Sequence, residues 1–151
     1  MVDNKNLIEL RKKTGAPVME CKRVLEECVG DVAKAEAALK KSGLLVAEKK
    51  KDRITAQGLV EAYVHNKKIG VLVEVNCETD FVAKNEDFKD FSHKLAMQIA
   101  SMAPKDVLEL LKQESIFESG VKIDEQLKNL ILKTGENIKI SRFIRFQLGD
   151  K

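Results

Sequence analysis

In Ile69-Gly70-Val71-Leu72-Val73-Glu74-Val75-Asn76-Cys77, every odd-numbered residue is apolar, while the even positions mix Gly, Leu, Glu and Asn. Successive side chains of a strand point to opposite faces, so this alternation predicts a strand with one face in a core. Upstream, Ala56 to His65 has the same strand character, and the short polar turn Asn66-Lys67-Lys68 joins the two runs. The pair reads as a hairpin whose apolar face needs a cover.

The cover follows in the chain. Phe88, Phe91, Leu95, Ile99 and Met102 recur at helical spacing from about Asn85 to Ala103, predicting a helix packed on the hairpin. Further helices are expected near Pro104 to Glu114 and from Asp124 to Lys133, the second with Leu127, Leu130 and Ile131 inward and Gly135 as its stop. From Asn137 to Leu148, residues Ile138, Ile140, Ile144, Phe146 and Leu148 share one parity, which predicts a last strand. Residues 56–151 thus read as a small α+β core of antiparallel sheet plus helices.

Residues 1–43 read as three short helices, punctuated at Thr14-Gly15-Ala16-Pro17 and Gly30-Asp31 and ended by Gly43. Pro17 suits a first helical turn, and Asp31 suits a cap. Val18, Cys21, Val24, Leu25 and Cys28 fall on one face of the second helix, so both cysteines are expected as small core residues. Met19 lies on the opposite side and is expected to be exposed, although an isolated surface methionine needs no special explanation. Residues 44–55 carry Lys49, Lys50, Lys51 and Arg53 after Leu44-Leu45-Val46 and read as a basic helical linker. A phosphate-binding patch is the alternative there, but Glu48 and Asp52 dilute the charge and no aromatic residue is present to stack on bases.

With 44% hydrophobic and 34% charged content, 151 residues suffice for one globular domain or two small ones. A net charge of +3 implies no polyanionic partner. Three cysteines without a CxxC pair argue for a reducing compartment and against a disulfide framework or a thiolate zinc site. No signal-peptide pattern and no membrane-spanning apolar run are visible, so a cytoplasmic protein is expected.

Chemistry has little to build on. No P-loop, GxGxxG, HExxH or GxSxG pattern occurs, and His65 and His93 are distant from each other with no evident partner at ligand spacing. Neighbouring carboxylates such as Glu26-Glu27 and Glu86-Asp87 diverge on a helix. No catalytic residue, metal or cofactor is expected, and the chain reads as a binding protein rather than an enzyme. One segment is left over: Glu78-Thr79-Asp80-Phe81-Val82-Ala83-Lys84, at the junction of strand and helix. Seven residues before Phe88, Phe81 would continue the core stripe if the helix began early, and periodicity favours that reading; a binding loop is the alternative.

At this point the chain resembles the translation elongation factor Ts family. The resemblance rests on Leu7-Ile8-Glu9-Leu10-Arg11-Lys12-Lys13-Thr14-Gly15-Ala16, on Met19-Glu20-Cys21-Lys22, on Glu74 through Lys84, and on Gly135-Glu136-Asn137-Ile138 with the basic strand after it. It implies a guanine nucleotide exchange factor that promotes GDP release from elongation factor Tu. It further implies that the N-terminal helices form a ubiquitin-associated-like module docking on the GTPase through Val18 and Met19. Thr79, Asp80, Phe81 and Val82 would act at the magnesium end of the nucleotide site, with Phe81 as a wedge, which replaces the core reading of that residue. The chain resembles the short form of the family, with one core unit, so a homodimer is expected in which a second copy supplies the missing half. Two other readings remain: a small basic nucleic-acid-binding protein using Lys49 to Arg53, or a non-catalytic interaction module.

Overall fold

The computed structural model describes residues 2–150. The alternating runs form β1 (Gln57–His65) and β2 (Ile69–Cys77), paired antiparallel with Tyr63 opposite Val71 and Leu59 opposite Val75. Asn66 and Lys67 both adopt positive φ (49° and 58°), and the turn is closed by the Lys68 N–H donating to the His65 carbonyl at 2.9 Å. Gly58 is required by close approach: a β-carbon there would lie 2.1 Å from the Val75 carbonyl oxygen. β3 (Ile138–Gln147) adds to the other edge of β2, giving the antiparallel order β1-β2-β3.

α5 (Glu86–Met102) covers the inner face of this sheet, capped by the Asn85 side chain accepting from the Asp87 N–H. Phe88, Leu95 and Ile99 are buried with Val71, Val73, Val75 and Cys77, as the two periodicities require. Met102, the last residue of the stripe, is exposed instead, because the helix ends there as Ala103 turns left-handed. α6 (Val107–Lys112) and α7 (Ile123–Thr134) close the same core through Leu110, Leu127, Leu130 and Ile131, and Gly135 ends α7 at φ 76°.

The expected single parity of β3 does not hold. Ile138 and Ile140 are buried, whereas Ile144 and Phe146 are exposed. Val75 pairs with Ile140 but Glu74 pairs with Arg142, so Ser141 is an extra residue and the strand changes face at that bulge. Beyond it, Phe143 packs inward and Arg145 donates from Nε and a terminal nitrogen to the Ala100 carbonyl at 3.3 and 3.0 Å. The outer face of the sheet therefore collects Val60, Val64, Leu72, Ile144 and Phe146, all exposed.

Ahead of the sheet stand α1 (Asn4–Thr14), α2 (Val18–Glu27) and α3 (Val32–Lys50) around a second core of Leu10, Cys21, Val24, Leu25, Ala35 and Leu39. Asp3 and Asp31 cap α1 and α3, and Gly15 ends α1 at φ 66°. Gly43 does not stop α3, contrary to the sequence reading. It stays helical and buried where the helix passes α7, with space for a β-carbon 3.6 Å from Leu132. A helical glycine costs about 1 kcal/mol relative to alanine. Packing at spacing four, from Leu39 through Gly43 to Ala47, outweighs that cost. Leu39 lies in the helical core and Ala47 in the core under the sheet, so one unbroken helix serves both.

The basic stretch is largely engaged within the chain. Lys50 donates to the Gly135 carbonyl at the end of α7, Lys51 pairs with Glu48, and Arg53 lies 3.5 Å from Glu78.

Candidate functional site

The segment after β2 does not extend α5 backwards. It forms its own short helix, α4 (Asp80–Ala83), whose cap is Thr79. Four residues cannot hold a helix by their own hydrogen bonds, since nucleation fixes several residues for a single bond. The turn is held instead from both sides. Val82 and Ala83 are buried in the main core, and the Thr79 hydroxyl accepts from the Val82 N–H at 3.4 Å. Asp80 points out and pairs with Lys84 at 2.8 Å, one turn along, which raises the lysine above its ordinary value.

With Val82 and Ala83 turned inward, Phe81 is turned outward and is 90% exposed. Burying a phenylalanine side chain is worth about 1.5–3 kcal/mol. This one forgoes that gain within its own chain, so its core reading is excluded.

A second arrangement, not read from the sequence, fixes the turn from 57 residues away. Glu136, in the loop between α7 and β3, accepts at one carboxylate oxygen from the Glu78 and Thr79 N–H groups (3.1 and 2.9 Å) and at the other from the Thr79 hydroxyl (2.7 Å). Reciprocally, the Glu78 carboxylate accepts from the Asn137 N–H at 2.8 Å. The buried Asn137 side chain donates onward to the Lys51 and Arg53 carbonyls at 3.3 and 2.9 Å, which ties in the end of α3. Beneath the turn, burial first and the Glu136 charge second push the Cys77 thiol from the ordinary value of 9.0 up to about 11, and its sulfur donates to the Thr79 carbonyl at 3.2 Å. These contacts join distant loops, so periodicity could not reveal them; the only signal was Gly135-Glu136-Asn137 standing between a helix stop and a strand.

Val18 and Met19 occupy the first turn of α2. Met19 is 73% exposed and Val18 is also at the surface, while Cys21, Val24 and Leu25 behind them are buried. Cys28 is half-buried against the same core. An open cleft of about 410 Å³ is lined by Arg11, Gly15, Ala16, Pro17, Val82, Asn85, Asp87, Lys133 and Thr134, so that of the candidate residues Val82 reaches it directly. Pro17 directly precedes Val18 and Met19, and Val82 directly follows Phe81.

His93 does meet a carboxylate, with Nδ1 3.4 Å from Glu61, and His65 Nδ1 lies 2.9 Å from the Tyr63 hydroxyl, both at the surface. Among the described residues, no group of three or more His, Cys, Asp or Glu could hold a metal ion, and no helix is long and apolar enough to cross a membrane.

Fold and site together define an α+β protein in which three helices precede a three-stranded antiparallel sheet, and whose distinguishing surface feature is a clamped, projecting aromatic rather than a cavity. The family model for elongation factor Ts matches residues 78–151. Elongation factor Ts of Thermosipho melanesiensis is 38% identical over 196 aligned positions, covering 99% of this chain and 100% of that protein. The aligned span exceeds the 151 residues here, so that relative has residues with no counterpart in this chain. Elongation factor Ts of Thermotoga neapolitana is 38% identical, covering 95% of each chain. That of Nostoc is 49% identical over 95% of this chain but only 45% of its own length. The chain belongs to the elongation factor Ts family.

Proposed function

We propose that this protein is a guanine nucleotide exchange factor of translation elongation, acting in the cytoplasm to promote GDP release from elongation factor Tu. The observation that carries the proposal is Phe81, an aromatic left 90% exposed on a turn whose backbone is held from both sides. Family membership supports the choice of partner.

An exchange factor needs no reacting group. It binds the nucleotide-free GTPase better than the loaded one, and reciprocity then requires that its binding weaken nucleotide affinity by the same factor. Phe81 is the wedge, entering the partner near the magnesium and phosphate contacts that hold the nucleotide, with Thr79 and Asp80 beside it for polar contacts and Val82 as its anchor. Val18 and Met19 dock on the GTPase; the cleft lined by Pro17, which precedes Val18, and by Val82, which follows Phe81, supports their reaching a single partner. Removing Met19 should weaken docking while leaving the exchange step in place.

The active form we propose is a homodimer. Exposed Val60, Val64, Leu72, Ile144 and Phe146 share one sheet face with the Glu74–Arg142 ion pair, and exposed apolar side chains gathered on one face suit an interface. A two-fold axis would bury it against its own copy.

The test is the rate of fluorescent GDP release from purified elongation factor Tu, with and without this protein. Acceleration by wild type that is lost in Phe81→Ala supports function and site together; a rate unchanged by wild type overturns the exchange reading.

A further inference from the structure

With Phe81 90% exposed, its position is set chiefly through its backbone. What fixes that backbone is therefore part of the site. The Thr79 hydroxyl has two roles at once, donating to Glu136 at 2.7 Å and accepting from the Val82 N–H at 3.4 Å. The carboxylate of Glu136 thus settles which way the hydroxyl proton points, and that leaves the oxygen lone pair free to start α4. The same carboxylate holds the two preceding N–H groups, Glu78 and Thr79. A charged acceptor taking three donors is stronger than a neutral one, and here it replaces the hydrogen bonds that a four-residue helix lacks.

We propose that Glu136 is the positioning residue of the exchange turn, gripping Thr79 across 57 residues of sequence and so holding Phe81 in its outward, partner-ready orientation. The proposal rests on the exchange reading above. Without the clamp the turn becomes an ensemble, and ordering it on the partner consumes binding energy that would otherwise displace nucleotide. Glu136 itself need not touch the partner.

The experiment compares wild type, Glu136→Ala, Glu136→Gln, Phe81→Ala and the double variant Glu136→Ala/Phe81→Ala in two measurements. In the isolated protein, amide hydrogen exchange at Thr79 and Val82 should speed up in Glu136→Ala, and less so in Glu136→Gln, which keeps one accepting oxygen. In fluorescent GDP release from elongation factor Tu, Glu136→Ala should lower the maximal rate roughly tenfold. In the Phe81→Ala background the same change should do almost nothing further, since the clamp then has no wedge to hold. Equal proportional losses in both backgrounds, or unchanged protection of Thr79 and Val82, would overturn the assignment, because a merely structural residue acts independently of Phe81. If Glu136→Ala does not fold, Glu136→Gln carries the same cycle. Failure of the exchange reading shows separately, as no acceleration by wild type.

Discussion

Ile140 and Ile144 are four residues apart on one strand and face opposite sides of the sheet, the first 4% exposed and the second 47%. An even spacing on a regular strand keeps two side chains on the same face. The extra residue at Ser141 turns the second half of β3 outward, beside Leu72 and Phe146, and this is what creates the apolar outer surface.

That surface makes the oligomeric state testable. Sedimentation at micromolar concentration should give a dimer mass for wild type. Ile144→Glu or Phe146→Glu should give a monomer with an unchanged fold, since each would put a charge into the proposed dimer interface. A monomeric wild type would reject the dimer.

Phe81→Ala should be nearly silent in stability, because removing an exposed side chain usually changes folding by no more than about 0.5 kcal/mol. Its effect should appear in stimulated GDP release, as a loss of at least roughly tenfold, which is the scale of an interface hot spot. A melting temperature several degrees lower, with release unaffected, would return Phe81 to a packing role.

Val29 is 93% exposed and left-handed at φ 54°, next to Gly30 at φ 81°. A β-branched residue is poorly suited to that region, at a cost of about 1–2 kcal/mol. Val29→Asn or Val29→Gly should therefore raise the melting temperature by roughly 2–8 °C. No rise would mean that the backbone at this corner is free of strain.

Cys77 gives a pH signature. The folded protein keeps the thiol proton up to about pH 11, while an unfolded cysteine releases it from about pH 9. The folded state thus binds more protons between those values, and stability falls as pH rises through them while being unaffected below. Urea midpoints measured at about pH 8 and pH 10.5 should drop further for wild type than for Cys77→Ala. Iodoacetamide near pH 8 should label half-buried Cys28 before Cys77.

How far the sequence could be read follows from how local each signal is. The alternation at Ile69–Cys77 and the helical stripe from Phe88 to Ile99 are self-contained, and the hairpin and its covering helix form where those patterns lie. Gly43 looked like a stop because the sequence cannot display α7, whose packing keeps α3 helical. The bulge at Ser141 depends on how Glu74 and Val75 pair, and pairing is a property of two strands. Phe81 fits the stripe arithmetically, but the cap at Thr79 starts a separate helix before it. Glu136 is visible in the sequence only as one residue of the segment Gly135-Glu136-Asn137-Ile138 that carries the resemblance, because two of its three contacts are with backbone N–H groups that carry no side-chain signature.

The unbroken course of α3 through Gly43 means that the two ends of this protein are joined by a rod instead of a tether. A flexible tether would let Met19 and Phe81 search independently, their separation set by chain statistics. A rod fixes both span and rotation: one residue inserted near Leu44 would turn everything before it by about 100° about the helix axis and move it about 1.5 Å. The separation between Met19 and Phe81 is therefore written in helical phase rather than in chain length. If both residues contact the GTPase as proposed, a partner whose two contact regions shift relative to each other is gripped only in the conformation that matches the gauge.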